Sequence, residues 1–155
     1  MKSCFFIGHR DAPEALFPLL KSTVESHIAE YGVTEFIVGH YGNFDRLAAQ
    51  AVISIKNKYP EKSLLLLLPY HPAERPISLP EGFDNTYYPP GMEAIPRRFA
   101  IIEANKHIID HTDYLIAYAH YSASNSKKLL DYAIRRCHKS SLTVTNLSLQ
   151  TFQHS

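Results

Sequence analysis

Two hydrophobic rhythms alternate along the chain. Residues 3–7 (SCFFI), 36–38 (FIV), 63–68 (SLLLLL), 114–118 (YLIAY) and 142–144 (LTV) are short, largely apolar runs bounded by Gly, Pro or polar residues. Each is too short for an amphipathic helix, and together they predict five strands, the inner ones covered on both faces. Between them, apolar residues recur every three or four positions. Leu16, Leu19, Leu20, Val24, Ile28 and Tyr31 predict a first helix that Gly32 ends, with Asp11 placed to cap it and Pro13 in its first turn. Phe44, Leu47, Ala48, Ala51, Val52 and Ile55 predict a second, with Asn43 as its N-cap. Residues 97–110, with Ile101, Ile102, Asn105, Ile108 and Ile109 inward, and residues 125–138 predict two more.

Strands alternating with helices imply an α/β domain with a mainly parallel sheet, right-handed crossovers and helices on both faces. The expected five-stranded order is 3-2-1-4-5, in a single domain over residues 1–147 followed by a polar, frayed tail, 148–155. Sheets of this kind bind ligands beyond the carboxyl ends of their strands, where the winding direction reverses. The loops at 8–13, 39–45, 69–71 and 119–126 therefore carry the candidate site. One stretch breaks the rhythm. Residues 69–96 hold seven of the ten prolines together with Gly82 and Gly91, which excludes a continuous helix or an inner strand. Tyr70, Phe83, Tyr87 and Tyr88 supply burial, so this stretch is expected to be an ordered flap folded back near the carboxyl edge.

Composition narrows the partners. A net charge of +1 over 155 residues provides no basic field, so nucleic acid is not an expected partner. The two cysteines, Cys4 and Cys137, are far apart and form no CxxC, which suits free thiols in a reducing compartment. No apolar run approaches the roughly 20 residues that cross a bilayer, so no membrane partner and a cytoplasmic location are expected. Oligomeric state stays open, a homo-oligomer included.

The residues after the strands carry the candidate chemistry. Gly8, Gly39 and Gly42 allow tight turns and close approach to the main chain. Free N–H groups in the turn after Asn43 would make an anion site. Arg10 either clamps a phosphate or carboxylate with its planar fork, pairs with Asp11 or caps a helix C-terminus elsewhere. Asp45, in the first turn of the second helix, either favours the helix dipole, binds ribose hydroxyls or acts in acid–base chemistry. The small polar run Ser122-Ala123-Ser124-Asn125-Ser126 suits N-capping and phosphate contact equally. His9, His40, His71 and His120 each follow a predicted strand, and His107 and His111 have the i,i+4 spacing of a helical metal pair. With no HExxH and no dense Cys/His cluster, no metal site is expected; loop histidines commonly bond to backbone or to a ligand. Tyr41, Tyr70, Tyr118 and Tyr121 either stack on a base or belong to the core rim.

The opening CFFIGHR, the segment VGHYGNFDRLAAQAV and the segment EANKHIIDHTDYLIAYAHYSASNSKKLLDYA resemble, in matching order, the YpsA-like branch of the SLOG superfamily. The resemblance covers Cys4 to Ala133. It implies a Rossmann-like fold and a nucleotide or nucleotide-derived ligand, ADP-ribose-like ligands included, with no other cofactor. Gly8, His9, Arg10, Gly39, Gly42, Asn43 and Asp45 would line one side of the site, and Asn105, Ser122, Ser124, Asn125 and Ser126 the other. Related LOG phosphoribohydrolases cleave a base from a nucleoside monophosphate, whereas many other members are regarded as sensors. Three departures bear on the choice. Ala104 stands where the branch usually has Arg, Ser124-Asn125-Ser126 replaces a glycine-rich turn, and the LOG pattern PGGxGTxxE is absent. The expectation is therefore a ligand-binding or sensor module; the alternative is a hydrolase of a nucleotide N-glycosidic bond, with Asp45 as its catalytic carboxylate.

Overall fold

A computed structural model describes residues 2–149 of the chain. Its centre is a parallel sheet of six strands: β1 (Lys2–Gly8), β2 (Val33–Val38), β3 (Ser63–Leu67), β4 (Asn85–Tyr87), β5 (Tyr114–Tyr118) and β6 (Thr143–Asn146). The order is β4-β3-β2-β1-β5-β6, and every neighbouring pair is parallel. The expected 3-2-1-4-5 arrangement is present, but five strands was one too few. The sixth, β4, lies outside β3 at the edge.

Alternation within the strands creates two cores. In β1, Cys4 and Phe6 face one side with Phe36, Val38, Leu64 and Ile116. There they pack under α1 (Phe17–Tyr31) and α2 (Asn43–Lys56). Phe5 and Ile7 face the other side, joining Ile37, Leu67, Leu115 and Ala117 beneath α3 (Ala100–His111) and α4 (Asn125–Cys137). A period of two in strands buried on both faces produces this division without polar interruption. The winding reverses between β1 and β5, which pair from Cys4↔Tyr114 to Gly8↔Tyr118. Leaving β1, the chain turns to α1 on one face; leaving β5, it turns to α4 on the other. A crevice opens between the two exits.

The proline-rich stretch is more ordered than a simple flap. It leaves the carboxyl edge at Pro69 and returns to the start of β3, where Asp84 N–H donates to the Leu64 carbonyl (2.9 Å). The Asp84 carboxylate accepts from Leu64 N–H (2.8 Å) and from Lys56. Thus anchored, Asn85–Tyr87 runs beside β3 in the proline-free gap between Pro80 and Pro89. Three residues with an Asn are below any periodicity window, and prolines flank them closely; an edge position needs only one side of the ladder. Residues 92–94 and 97–99 form single 3-10 turns that lead into α3.

The other boundaries shift where capping differs. Asp11 does not cap α1: a 3-10 turn over Glu14–Leu16 intervenes, and the helix begins at Phe17 with Pro18 in its first turn. Leu147 and Ser148 are buried beside the end of β6, while residues 150–155, most of the expected tail, lie outside the described residues. Among the described residues no helix is long and apolar enough to cross a membrane.

Candidate functional site

The crevice between the exits of β1 and β5 holds a cavity of about 310 Å³. Gly8, His9, Arg10 and Asp11 line it from the end of β1, and Gly39, Tyr41 and Asp45 from the β2–α2 junction. Tyr121, Ser124, Asn125 and Ser126 come from the β5–α4 junction, and Asn105 from α3. Leu67, Pro69, Ile101, Ile102, Ala104 and Leu129 give one wall an apolar surface. Of the residues expected from the sequence, Gly42, Asn43 and Ser122 do not line the cavity. Ser122 is an exposed loop residue.

The turn after Asn43 was expected to offer free N–H groups, with Asn43 as the N-cap, and the geometry differs at both points. Gly42, at φ +151°, is the N-cap position of α2, so Asn43 is already the first helical residue. Asn43 N–H donates to the Arg10 carbonyl (2.9 Å) and Phe44 N–H to the His9 carbonyl (3.3 Å). The Asn43 side chain donates to the Ala12 carbonyl. The first two N–H groups of α2 are thus stitched to the loop after β1. The glycines serve this contact: a Cβ on Gly8 would lie 2.2 Å from the Phe44 ring, and one on Gly42 2.7 Å from Arg10 Cα.

Asp45 is the polar group that α2 does present. Its Oδ2 accepts from Tyr41 N–H (3.1 Å), and a Cβ on Gly39 would lie 2.9 Å from the same oxygen. Burial pushes its carboxyl up to about 6, with the Tyr41 bond opposing. A carboxyl of this value exists in both protonation states near neutrality and can accept or release a proton there.

The N-terminus of α4 is arranged differently. Ser124 caps it, its Oγ accepting from Lys127 N–H (3.1 Å) and donating to the Tyr121 carbonyl (2.8 Å). Lys128 N–H closes the first helical bond on the Ser124 carbonyl. Ser126 Oγ donates to the Gly8 carbonyl (2.8 Å), tying α4 to β1. Both hydroxyl protons are thus given to protein carbonyls, Ser124 capping the helix and Ser126 clamping it to β1. The backbone N–H groups of Asn125 and Ser126 have no protein partner among the described residues. They are open donors at the cavity. Arg10 is exposed, and among the described residues its guanidinium makes no ion pair, with Asp11 or any other carboxylate. Asn105 donates from Nδ2 to the Ile101 carbonyl (2.8 Å), which leaves its side-chain oxygen as an acceptor.

His9 is buried, and its Nε2 accepts from the backbone N–H groups of His120 (2.8 Å) and Tyr121 (3.3 Å). His40 stacks on Tyr41, and His71 Nδ1 accepts from Ala73 N–H. The histidines after the strands therefore do gather at one edge, but only His9 reaches the cavity. Among the described residues no group of three His, Cys, Asp or Glu side chains could hold a metal. Of the four tyrosines, Tyr41 and Tyr121 line the cavity. Tyr118 is buried against Phe44, and Tyr70 packs under the Arg75 guanidinium (3.9 Å). The flap contributes only Pro69 at the cavity; Tyr87 and Tyr88 pack on the α3 side of the sheet.

What the sequence did not reveal is the apolar wall. Ile101 and Ile102 were expected in the core, yet both are half-buried and face the cavity, with Ala100, Ala104, Ile108 and Ile109 taking the core positions. The one available signal was excess: α3 has more apolar residues than one stripe needs. Comparison with protein-family models and with curated proteins finds no match to this chain.

Proposed function

We propose that the protein binds a nucleotide or nucleotide-derived small molecule in this cavity and acts as a ligand-binding or sensor module. One observation carries the proposal: the two open N–H groups of α4 and the unpaired Arg10 guanidinium border the same cavity as the apolar wall of Ile101, Ile102, Leu67 and Leu129. An anion at one end and a flat, weakly polar ring at the other is the chemistry of a nucleoside phosphate. Tyr41 and Tyr121 add faces on which a base can stack. A volume of about 310 Å³ is at the low end for small-molecule sites, roughly 300–1,000 Å³, and favours a mononucleotide over a dinucleotide. The resemblance to the YpsA-like branch of the SLOG superfamily points the same way.

Thermal melting with nucleoside monophosphates, nucleosides and free bases tests the proposal. A monophosphate at a hundred times its Kd stabilises by about 2.7 kcal/mol, and the melting temperature rises by about 5–10 °C. Free bases have no charge for Arg10 or α4 and leave it unchanged. No shift across the panel at millimolar concentration would remove the nucleotide reading.

Asp45 favours a second reading, hydrolysis of an N-glycosidic bond. A carboxyl raised to about 6 beside the cavity is suited to assist water or a leaving base. Chromatography of each nucleotide after incubation with the protein checks it. Release of a base that Asp45→Asn abolishes supports the hydrolase, and intact nucleotides leave the binding module.

A further inference from the structure

We infer that His9 is a positioning residue whose neutral ring latches the loop after β5, and through it the N-terminus of α4, to the end of β1, and that protonation of this ring releases the latch. The geometry sets the protonation state. An imidazole nitrogen that accepts two N–H bonds has no proton of its own, so with His120 and Tyr121 both donating to Nε2 the ring is neutral with its hydrogen on Nδ1. A second proton has to enter at Nε2, where it faces two donors and no acceptor. Both bonds then fail together.

The latch is connected to the open end of α4 by a short chain of bonds. Tyr121, held through its N–H, uses its carbonyl to accept from Ser124 N–H (3.1 Å) and from the Ser124 hydroxyl (2.8 Å). Ser124 in turn caps Lys127. Two hydrogen-bonded steps, His9 to Tyr121 and Tyr121 to Ser124, therefore lead from the ring to the residue just before Asn125. Backbone pairing alone ends just before this loop: His9 N–H on the Tyr118 carbonyl (3.1 Å) is the last bond that follows β1 and β5.

The groups around the ring favour its neutral form. Tyr118 meets it edge-on at 5.8 Å, His120 edge-on at 4.8 Å and Tyr121 at 4.4 Å. Burial, then the neighbouring His120, lower the ring's affinity for a proton, and Asp11 on the same loop opposes them. From α2 the nearest group is uncharged: Phe44 N–H bonds the His9 carbonyl, while the Asp45 carboxylate is held on Tyr41 N–H. From α4, Ser126 bonds the Gly8 carbonyl, and the Lys127 ammonium is paired with Asp131.

The test is an NMR titration of the ligand-free, ¹⁵N-labelled chain, so its failure is separate from failure of the nucleotide proposal. At about pH 8 the His9 ring should show an unprotonated Nε2 and a protonated Nδ1. As pH falls, the His120 and Tyr121 amide signals should move with a shared midpoint below the ordinary histidine value of 6.5, and their hydrogen exchange, corrected for pH, should speed up by about tenfold or more. Core amides such as Phe5 and Leu115 report that the sheet remains folded. His9→Gln keeps an acceptor oxygen near the Nε2 position but does not titrate, so both amides should stay protected throughout. His9→Phe keeps the ring without the acceptor, and both should exchange fast at every pH. A protonated Nε2 at about pH 8, or the same amide titration in His9→Gln, overturns the inference. If neither variant folds, the ring tautomer and the midpoint in the unaltered chain decide it.

Discussion

The N-termini of α2 and α4 approach one cavity from opposite faces of the sheet, and they end in opposite chemical states. In α2, Asn43 and Phe44 give their N–H groups to the carbonyls of Arg10 and His9, and the helix presents a carboxyl, Asp45. In α4, the serines cap and clamp with their hydroxyls, and the N–H groups of Asn125 and Ser126 remain open. Two helix ends of similar sequence position therefore do different work. One is a structural joint that holds an acid; the other is where the proposed ligand would place its anion. A single anionic ligand would be oriented by this polarity, its charged end toward α4 and Arg10 and away from Asp45.

The largest expected effect tests whether α2 bears a group kept at a cost to stability. Burial raises Asp45 in the folded state from the ordinary 3.8 to about 6. Its contribution is then fully present below the unfolded value and is lost as pH rises through about 6, because the folded chain must bury the charge. Asp45→Asn, which keeps an acceptor for Tyr41 N–H, should leave stability nearly unchanged at about pH 4. At about pH 8 it should increase stability by up to about 3 kcal/mol, in urea unfolding at both pH values. A difference that does not change with pH would mean that Asp45 is not a buried, titrating acid.

Arg10 tests the other pole. Arg10→Ala should weaken adenosine monophosphate binding by about 2 kcal/mol, near thirtyfold in calorimetry, the size of a lost charge-assisted hydrogen bond. Because the guanidinium is exposed and unpaired without ligand, stability should change by less than about 0.5 kcal/mol. Unchanged affinity with a large loss of stability would make Arg10 a structural residue and dissolve the contrast.

The smallest effect is also the most direct. Asn43 and Asn125 are both first residues of their helices, where proline is tolerated and removes one N–H. Ser124, with φ −79° and ψ 153°, already has the extended backbone that a following proline requires. Asn125→Pro should keep stability and weaken monophosphate binding by about 1 kcal/mol. Asn43→Pro should do the reverse, costing about 1–2 kcal/mol of stability through the lost N–H bond to the Arg10 carbonyl and the lost side-chain bond to the Ala12 carbonyl. Equal effects from the two prolines would show that the helix ends do not differ as described.

Much of the architecture was legible because it depends on local rhythm. The runs SCFFI, FIV, SLLLLL and YLIAY are short and bounded by breakers, and the apolar positions between them repeat at helical spacing, so parallel strands with crossover helices follow from the sequence alone. The same logic placed the candidate site at the carboxyl edge, where a cavity is found that Gly8, Arg10, Asp45, Asn105 and Asn125 line. It missed β4, whose three residues have no period, and it placed Ile101 and Ile102 in the core when they form a cavity wall.

Sequence by itself determined which loops reach the edge; only the tertiary structure decided which side chains line the cavity and what each does there. Whether Asn43 N–H is free depends on the Arg10 carbonyl, and whether His9 holds a ligand or a loop depends on His120, 111 residues away. A hydrogen-bond donor has no role until its partner is known, and here the partners come from strands that adjoin in the sheet but not in the chain. Spacing specifies the face on which a residue emerges, because helix and strand periods are local. Adjacency of β1 and β5 specifies its partner, because that is a property of the assembled sheet.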